Sequence, residues 1–565
     1  MFIKKDFEQR ILKFSTIETR YFFTLSYLFL LFFKICLSSQ YLSSVDNHYS
    51  ILFIFPFSII LASFDFMFLF IFFRTADLFS NYRCFKYLFF VFFVSGSFFL
   101  LYDFSIYQYF RGFTNYGLSE FLAYDSSELA SYFIFSLNPF LIAVILFSFF
   151  LIFLATNFTF RKKTPVIKPF SDRIINILFA TNLVFAGIVS FVPFNYTVRM
   201  DKNPFWEYAV TTIFNSFHLS EEMKNINDLP RLSTEKNEFP PFNFKEYEKT
   251  KGKNVIMIVL ESTAFERTPL GNDKKSPLLF LEDLAGKSYN FTSFRTFFPA
   301  TTRSILGMLC SGYPGTGYRS VTNTDSEFDC NSIVDTLKQV GYDTSYFSPV
   351  LLDFDRFGES KIVKKFDFVF EPSEILKNGA FKRKYGTKTA IEEEIVQDKI
   401  FERIIQMKKQ EKPFFIFYFP YWTHAPYEHP FKSSRGLNSL ERYYQAQEYM
   451  NESMANFLRM LEKENISDET IIIITSDHGE AFGRKVGNYI HPNYLYDENL
   501  KVPFLIYIKG ITDKSPKVIN NPVTTFDLAP TISDLTGINR MSSWQGNNMF
   551  EGKSAPVLIY TRAME

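Results

Sequence analysis

The stretch Ile471-Ile472-Ile473-Ile474-Thr475-Ser476-Asp477-His478-Gly479-Glu480 decides the fold. Four successive β-branched apolar residues describe a strand buried on both faces, the kind found at the centre of a parallel sheet. The acid and imidazole that follow stand at the strand's carboxyl end, where ligands of α/β folds gather. Asp477 and His478 are therefore read as half of a metal site, and the other half is to be sought at neighbouring strand ends.

Working outward, strand patterns at 254–260, 344–347, 414–419 and 504–508 join the one at 470–474, with helical patterns at 332–340, 391–408 and 439–462 between them. Such alternation predicts an α/β domain with a largely parallel sheet over 253–565. The first strand ends in Glu261-Ser262-Thr263, a second acid at a strand end. Further on, Thr301-Thr302-Arg303-Ser304 stands just before a helical pattern, where free backbone N–H groups suit a phosphate. The alternative for either Thr is a plain helix cap. Cys310 and Cys330 are the one cysteine pair in this half; a disulfide between them would be worth ~3 kcal/mol, against two buried thiols.

The other half of the chain is of different composition. Aromatic residues make up 19% of the 565, Phe alone occurs 74 times, and most of that excess precedes residue 200. Apolar runs at 21–39, 51–73, 87–102, 133–155 and 174–193 are each read as a transmembrane helix, the third being short. Basic residues flank alternate connections: Lys4, Lys5, Arg10, Lys13 and Arg20 before the first run, Arg74, Arg83 and Lys86 after the second, Arg161, Lys162, Lys163, Lys168 and Arg173 after the fourth. The positive-inside rule then predicts a five-helix membrane domain over 1–195 with its amino terminus cytoplasmic and everything after it extracytoplasmic. The first run lacks a signal-peptide cleavage site and is read as a retained anchor. Lys34, near the outer end of its run, is expected to snorkel, and Asp65, at a different depth, is not expected to pair with it.

Between the halves, 196–252 is read as an aromatic helix opening at Asn203-Pro204-Phe205-Trp206, suited to the headgroup layer or to packing on the next domain, followed by a proline-marked linker. A formal charge of +1 excludes a general attraction to nucleic acid.

The strand ending in Glu261, the Thr301 segment with Gly312-Tyr313-Pro314, the block 476–480, His491 and Thr525-Phe526-Asp527-Leu528-Ala529-Pro530-Thr531 together resemble the alkaline phosphatase and sulfatase superfamily. With five preceding spans, the chain resembles its membrane-bound branch of lipoteichoic acid synthases, phosphoglycerol transferases and phosphoethanolamine transferases. The resemblance implies a divalent metal, zinc or manganese, held by Glu261, Thr301, Asp477 and His478, with Thr301 as nucleophile and Thr302 its competitor. It also implies that His424, in Tyr421-Trp422-Thr423-His424-Ala425-Pro426, and His491 bind substrate phosphate or protonate the leaving group. Arg303 would pair with phosphoryl oxygens in a fork, and Arg356, in Phe354-Asp355-Arg356, would contact glycerol phosphate. Glu480 is read as supporting the site without being a ligand.

Departures narrow the branch. The sulfatase Cys/Ser-x-Pro-x-Arg segment is absent, and Ser262 stands where calcium-type sulfatases carry a second acid, which favours a transition metal with oxygen and nitrogen ligands. Leu260-Glu261-Ser262 resembles the phosphoglycerol side more than the phosphoethanolamine side. The reading is a multi-pass enzyme of the bacterial cytoplasmic membrane with an extracytoplasmic catalytic domain. It would take a headgroup from phosphatidylglycerol or phosphatidylethanolamine onto Thr301 and pass it to an envelope glycan or glycolipid. A phosphodiesterase or sulfatase-type hydrolase is the alternative.

Overall fold

The computed structural model describes residues 16–45, 58–77, 84–110, 139–161, 165–189, 237–238, 241–242, 244–314, 330–352, 354–385, 389–435, 437–485, 488, 491 and 494–554. The chain divides into two compact units, one formed chiefly by the residues up to 220 and one by most of the rest. Most of the segment 196–252, including the aromatic helix expected from Asn203, lies outside the described residues.

In the first unit, helices α1 (Ile17–Val45), α2 (Ser63–Asp77), α3 (Cys84–Phe110), α4 (Pro139–Phe160) and α5 (Asp172–Val189) each overlap one of the five apolar runs. Of these, α1, α3 and α4 are long and apolar enough to cross a membrane. The described parts of α2 and α5 are 15 and 18 residues, and the ends of their runs, 51–57 and 190–193, fall outside the description. The third run is short, but its helix is not: α3 has 27 residues, because the helix continues through Asp103 and the polar aromatic stretch beyond it.

One expectation is overturned. Lys34 and Asp65 do pair, with Nζ 3.1 Å from Oδ2 and both side chains wholly buried. Helix α1 runs to Val45, six residues past the end read from the sequence. The Lys34 side chain is wholly enclosed among the packed helices, so it does not reach outward to snorkel. A buried charge needs a partner, and Asp65 on the neighbouring helix supplies it.

The second unit is built on an eight-stranded sheet. Its strands are β1 (Asn254–Leu260), β2 (Tyr289–Phe291), β3 (Asp343–Phe347), β4 (Phe368–Phe370), β5 (Phe414–Tyr418), β6 (Thr470–Ser476), β7 (Leu505–Ile508) and β8 (Lys517–Ile519). They lie in the order β8-β2-β7-β6-β1-β5-β3-β4. Every pairing is parallel except the two made by β7. The short outer strands β2, β4 and β8 carry too few residues to show a period in the sequence.

Strand side chains alternate between two buried faces, as the all-apolar pattern requires. Val255, Met257, Val259, Phe415, Phe417, Ile471 and Ile473 pack with Ile305, Ile333, Leu528 and Ile532 on one side. Those partners come from helices α6 (Thr301–Cys310), α7 (Ile333–Gln339) and α10 (Leu528–Thr536). Ile256, Ile258, Leu260, Ile416, Ile472 and Ile474 pack on the other with Ile400, Ile404, Phe457 and Leu461, from α8 (Glu393–Lys409) and α9 (Ser439–Lys463). A disulfide joins Cys310, the last residue of α6, to Cys330.

Helix α8 opens on a buried acid that holds the loop after β5. Glu393 accepts from the Tyr418 hydroxyl (2.6 Å) and the Tyr421 amide (2.9 Å). Burial outweighs these bonds and pushes its carboxyl up to about 8. The folded chain then keeps a proton that the unfolded chain releases near pH 4.5, so Glu393 costs stability progressively as pH rises from there towards 8. Each tenfold change in proton affinity is about 1.4 kcal/mol. In Glu393→Gln the thermal midpoint is expected to match the wild type at about pH 5 and exceed it by a few degrees at about pH 8. Parallel pH curves for the two proteins would refute this.

Candidate metal and nucleophile site

Strand register brings the two acids together. Strands β1 and β6 pair in parallel from Asn254↔Thr470 to Leu260↔Ser476, so the residues that follow, Glu261 and Asp477, leave the sheet side by side. The Asp477 amide donates to the Leu260 carbonyl at 3.2 Å. On the far side of β1, the loop after β5 is tied in by the Thr423 hydroxyl, which donates to the Glu261 carbonyl at 2.6 Å.

Helix α6 brings the hydroxyl. Thr301 is the first helical residue, with Ala300 at the N-cap and no side-chain cap present. The threonine pair thus opens the helix instead of preceding it. Its first turn is fixed by Ser304, whose hydroxyl donates to the Asp477 carbonyl at 2.5 Å. Beneath it, Phe297, Phe298, Tyr313 and Phe526 form a small cluster, with the Phe526 ring 4.8 Å from Phe297 and 4.7 Å from Tyr313. Gly307 lets α6 press on that cluster, since a Cβ there would come within 2.2 Å of the Phe297 ring. The Tyr313 turn and the late Phe526 block therefore support the helix that carries Thr301.

Glu261, Asp477 and His478 converge and are all buried, with candidate ligand atoms within 4.8 Å of one another. His478 Nε2 lies 3.3 Å from Asp477 Oδ2 and 3.6 Å from Glu261 Oε1. The Thr301 hydroxyl lies 3.3 Å from that same nitrogen and 3.4 Å from Glu261 Oε2. Gly479 allows the turn, because a Cβ would strike the Glu498 carbonyl at 2.2 Å.

The electrostatics fit a cation. Burial, reinforced by the Asp477 charge, holds the Glu261 carboxyl well above the usual range, and burial raises Asp477 as well. Burial lowers His478 to about 4, so its ring is neutral. The ring's Nδ1 is 3.0 Å from the Gly479 carbonyl, which assigns the proton there and leaves the Nε2 lone pair facing the acids. Asp477 Oδ2 is buried with no hydrogen-bond partner among the described residues. Two carboxylates, one neutral imidazole and a hydroxyl around an unsatisfied buried oxygen form a donor set that fits zinc or manganese and would be costly without a cation.

The His491 ring packs against that of His478 at a tilt of 34°, centroids 3.8 Å apart. Its Nδ1 is 3.0 Å from Glu480 Oε2, and its amide donates to Glu480 Oε1 at 2.7 Å. Glu480 is further held by the Tyr427 hydroxyl at 2.8 Å. The acid thus holds His491 at two points. His424 follows Thr423 in the loop tied to Glu261, its ring stacked on Tyr421 at 4.9 Å. Arg303 is buried in the first turn of α6 with its guanidinium 4.7 Å over the Phe298 ring. Arg356 lies in a 3-10 turn over Phe354–Glu359, and its side chain is outside the description.

No structural role was read from the sequence for Ser262, Thr423, Tyr427 or Tyr443. The Ser262 hydroxyl bonds its own neighbour Glu261, whereas its amide bond to Asp477 and the side-chain bonds of the other three depend on tertiary contacts.

A lipoteichoic acid synthase-like protein of Bacillus subtilis, YvgJ, is 28% identical over 339 residues, 55% of this chain and 51% of its own. The lipoteichoic acid synthase of Staphylococcus aureus is 26% identical over 380 residues, 61% of this chain and 53% of its own. The chain thus spans about half the length of the curated relatives it matches. The crystal structure of the lipoteichoic acid synthase LtaP from Listeria monocytogenes is 19% identical, with a TM-score of 0.46, over 59% of this chain and 82% of that one. The sulfatase family profile matches residues 253–538, half of the 565-residue chain, and takes in the whole eight-stranded sheet together with Glu261, Thr301, Asp477 and His478. The chain belongs to the sulfatase family.

Proposed function

We propose that this protein transfers a phospholipid headgroup to an envelope glycan or glycolipid through a covalent adduct on Thr301, with a divalent zinc or manganese ion held by Glu261, Thr301, Asp477 and His478. The observation that carries the reading is the placement of the Thr301 hydroxyl against Glu261 and His478, at the mouth of a buried acid pair. When bound, the metal lowers the pKa of the Thr301 hydroxyl and neutralises charge on the phosphoryl group. Thr301 Oγ1 forms a bond to phosphorus as the bond to the diacylglycerol oxygen breaks, and a histidine, His491 or His424, delivers the proton that oxygen needs. Glu480 suits His491 to this by holding its Nδ1 and so fixing the ring. An acceptor hydroxyl then attacks the same phosphorus, losing its proton to the histidine and releasing Thr301. Arg303 and Arg356 are assigned to the phosphate and the headgroup.

The five apolar helices would hold the chain in the cytoplasmic membrane with residues 253–565 on the outer side, where the donor lipid is confined. Relatives named lipoteichoic acid synthases support phosphoglycerol over phosphoethanolamine as the group transferred.

Incubation with headgroup-labelled phosphatidylglycerol, phosphatidylethanolamine in parallel, and a membrane glycolipid tests the proposal. Label is expected on the glycolipid from phosphatidylglycerol. Release of free labelled headgroup, with none on any acceptor, would refute transfer and favour the hydrolase.

A further inference from the structure

We propose that Ser262 is a positioning residue that sets both carboxylates of the site at once; this rests on the metal-dependent reading above. Ser262 is wholly buried and follows Glu261 directly. Its backbone is left-handed, with φ of 49°, a conformation L-residues adopt at a cost and that clusters at functional sites. The turn there lets one residue bond two acids that are 216 positions apart in sequence. The Ser262 amide donates to Asp477 Oδ1 at 2.9 Å, and its hydroxyl donates to Glu261 Oε1 at 2.5 Å.

The consequence is geometric. Each acid has one oxygen tied to Ser262, and the other oxygen of each is turned inward. Glu261 Oε2 faces the Thr301 hydroxyl at 3.4 Å, and Asp477 Oδ2 stands unbonded 3.3 Å from His478 Nε2. With the preceding peptide and its amide bond to Asp477 held in place, an extended φ at 262 would swing the hydroxyl off Glu261 Oε1. The left-handed turn is itself anchored, because Tyr443 from α9 donates its hydroxyl to the Ser262 carbonyl at 2.7 Å. The neighbouring Thr263 amide is held by the Ser476 hydroxyl at 2.9 Å. The residue therefore fixes which oxygens are presented to a cation, the part that outer partners of metal ligands play.

The test uses the full chain in detergent, stripped with chelator and titrated with manganese(II) by calorimetry, with unfolding of the stripped protein followed in parallel. Ser262→Gly keeps the left-handed turn and the amide bond to Asp477 and loses only the hydroxyl on Glu261. It is expected to weaken manganese binding by about 10-fold to 100-fold, the usual effect of losing such a partner, with the stripped protein unfolding at the wild-type temperature. Ser262→Ala repeats the loss should the glycine variant fold poorly. Wild-type affinity in Ser262→Gly and Ser262→Ala overturns the proposal. A folded wild-type protein that takes up neither manganese nor zinc overturns the metal reading itself, a separate result.

Discussion

Thr301→Ala is expected to abolish the covalent adduct while leaving the protein folded. Thr301 is the first residue of α6 and makes no capping bond, so its removal takes nothing structural from the helix; substitutions of that kind change stability by about 0.5 kcal/mol or less. Loss of a nucleophile, by contrast, removes about 10⁴-fold or more of the rate. Intact-protein mass spectrometry after incubation with phosphatidylglycerol is expected to show wild-type protein heavier by one phosphoglycerol and Thr301→Ala unchanged. An adduct that persists in Thr301→Ala would transfer the role to Thr302, and a mass increment of phosphoethanolamine would reassign the donor.

Asp477→Asn carries the second large effect, and it has opposite signs with and without metal. In the stripped protein Asp477 and Glu261 are two buried acids that raise each other's cost of ionisation, so removing one charge is expected to leave the unfolding temperature equal to the wild type's or higher. Asn retains an oxygen for the Ser262 and His478 amides, which bond Asp477 Oδ1 at 2.9 and 2.7 Å. With metal the order reverses. A ligand at one hundred times its Kd stabilises the folded state by about 2.7 kcal/mol, and the variant, without the second carboxylate, is expected to lose that stabilisation. Scanning calorimetry with and without manganese reads both halves; an equal metal-induced rise in the two proteins would remove Asp477 from the ligand set.

The contrast between these acids and the Lys34–Asp65 pair shows where sequence reading reaches. Glu261 and Asp477 were legible because each ends a strand whose apolar run is unmistakable, and parallel strands of equal length end together. Their convergence follows from register alone, Leu260 opposite Ser476. Lys34 and Asp65 sit in helices with little variation of hydrophobicity along them, so neither helix end nor depth could be fixed, and the 3.1 Å contact contradicted the depths assigned to them. In a membrane segment the apolar run marks where the bilayer permits a helix, and the helix itself can continue beyond it, as α1 and α3 do.

The sequence by itself determined the α/β sheet, through strands apolar at every position, the candidate acids at their ends, and the apolar helices that precede them, because each is written in a local period or run. Tertiary structure alone decided that Thr301 begins its helix against Glu261 and His478, that Glu480 reaches His491, and that Ser262 bonds both acids. Apart from the Ser262 hydroxyl on its neighbour Glu261, those are contacts between residues well separated in sequence, and only the strand register and the packing of α6 and α9 bring them within hydrogen-bond range.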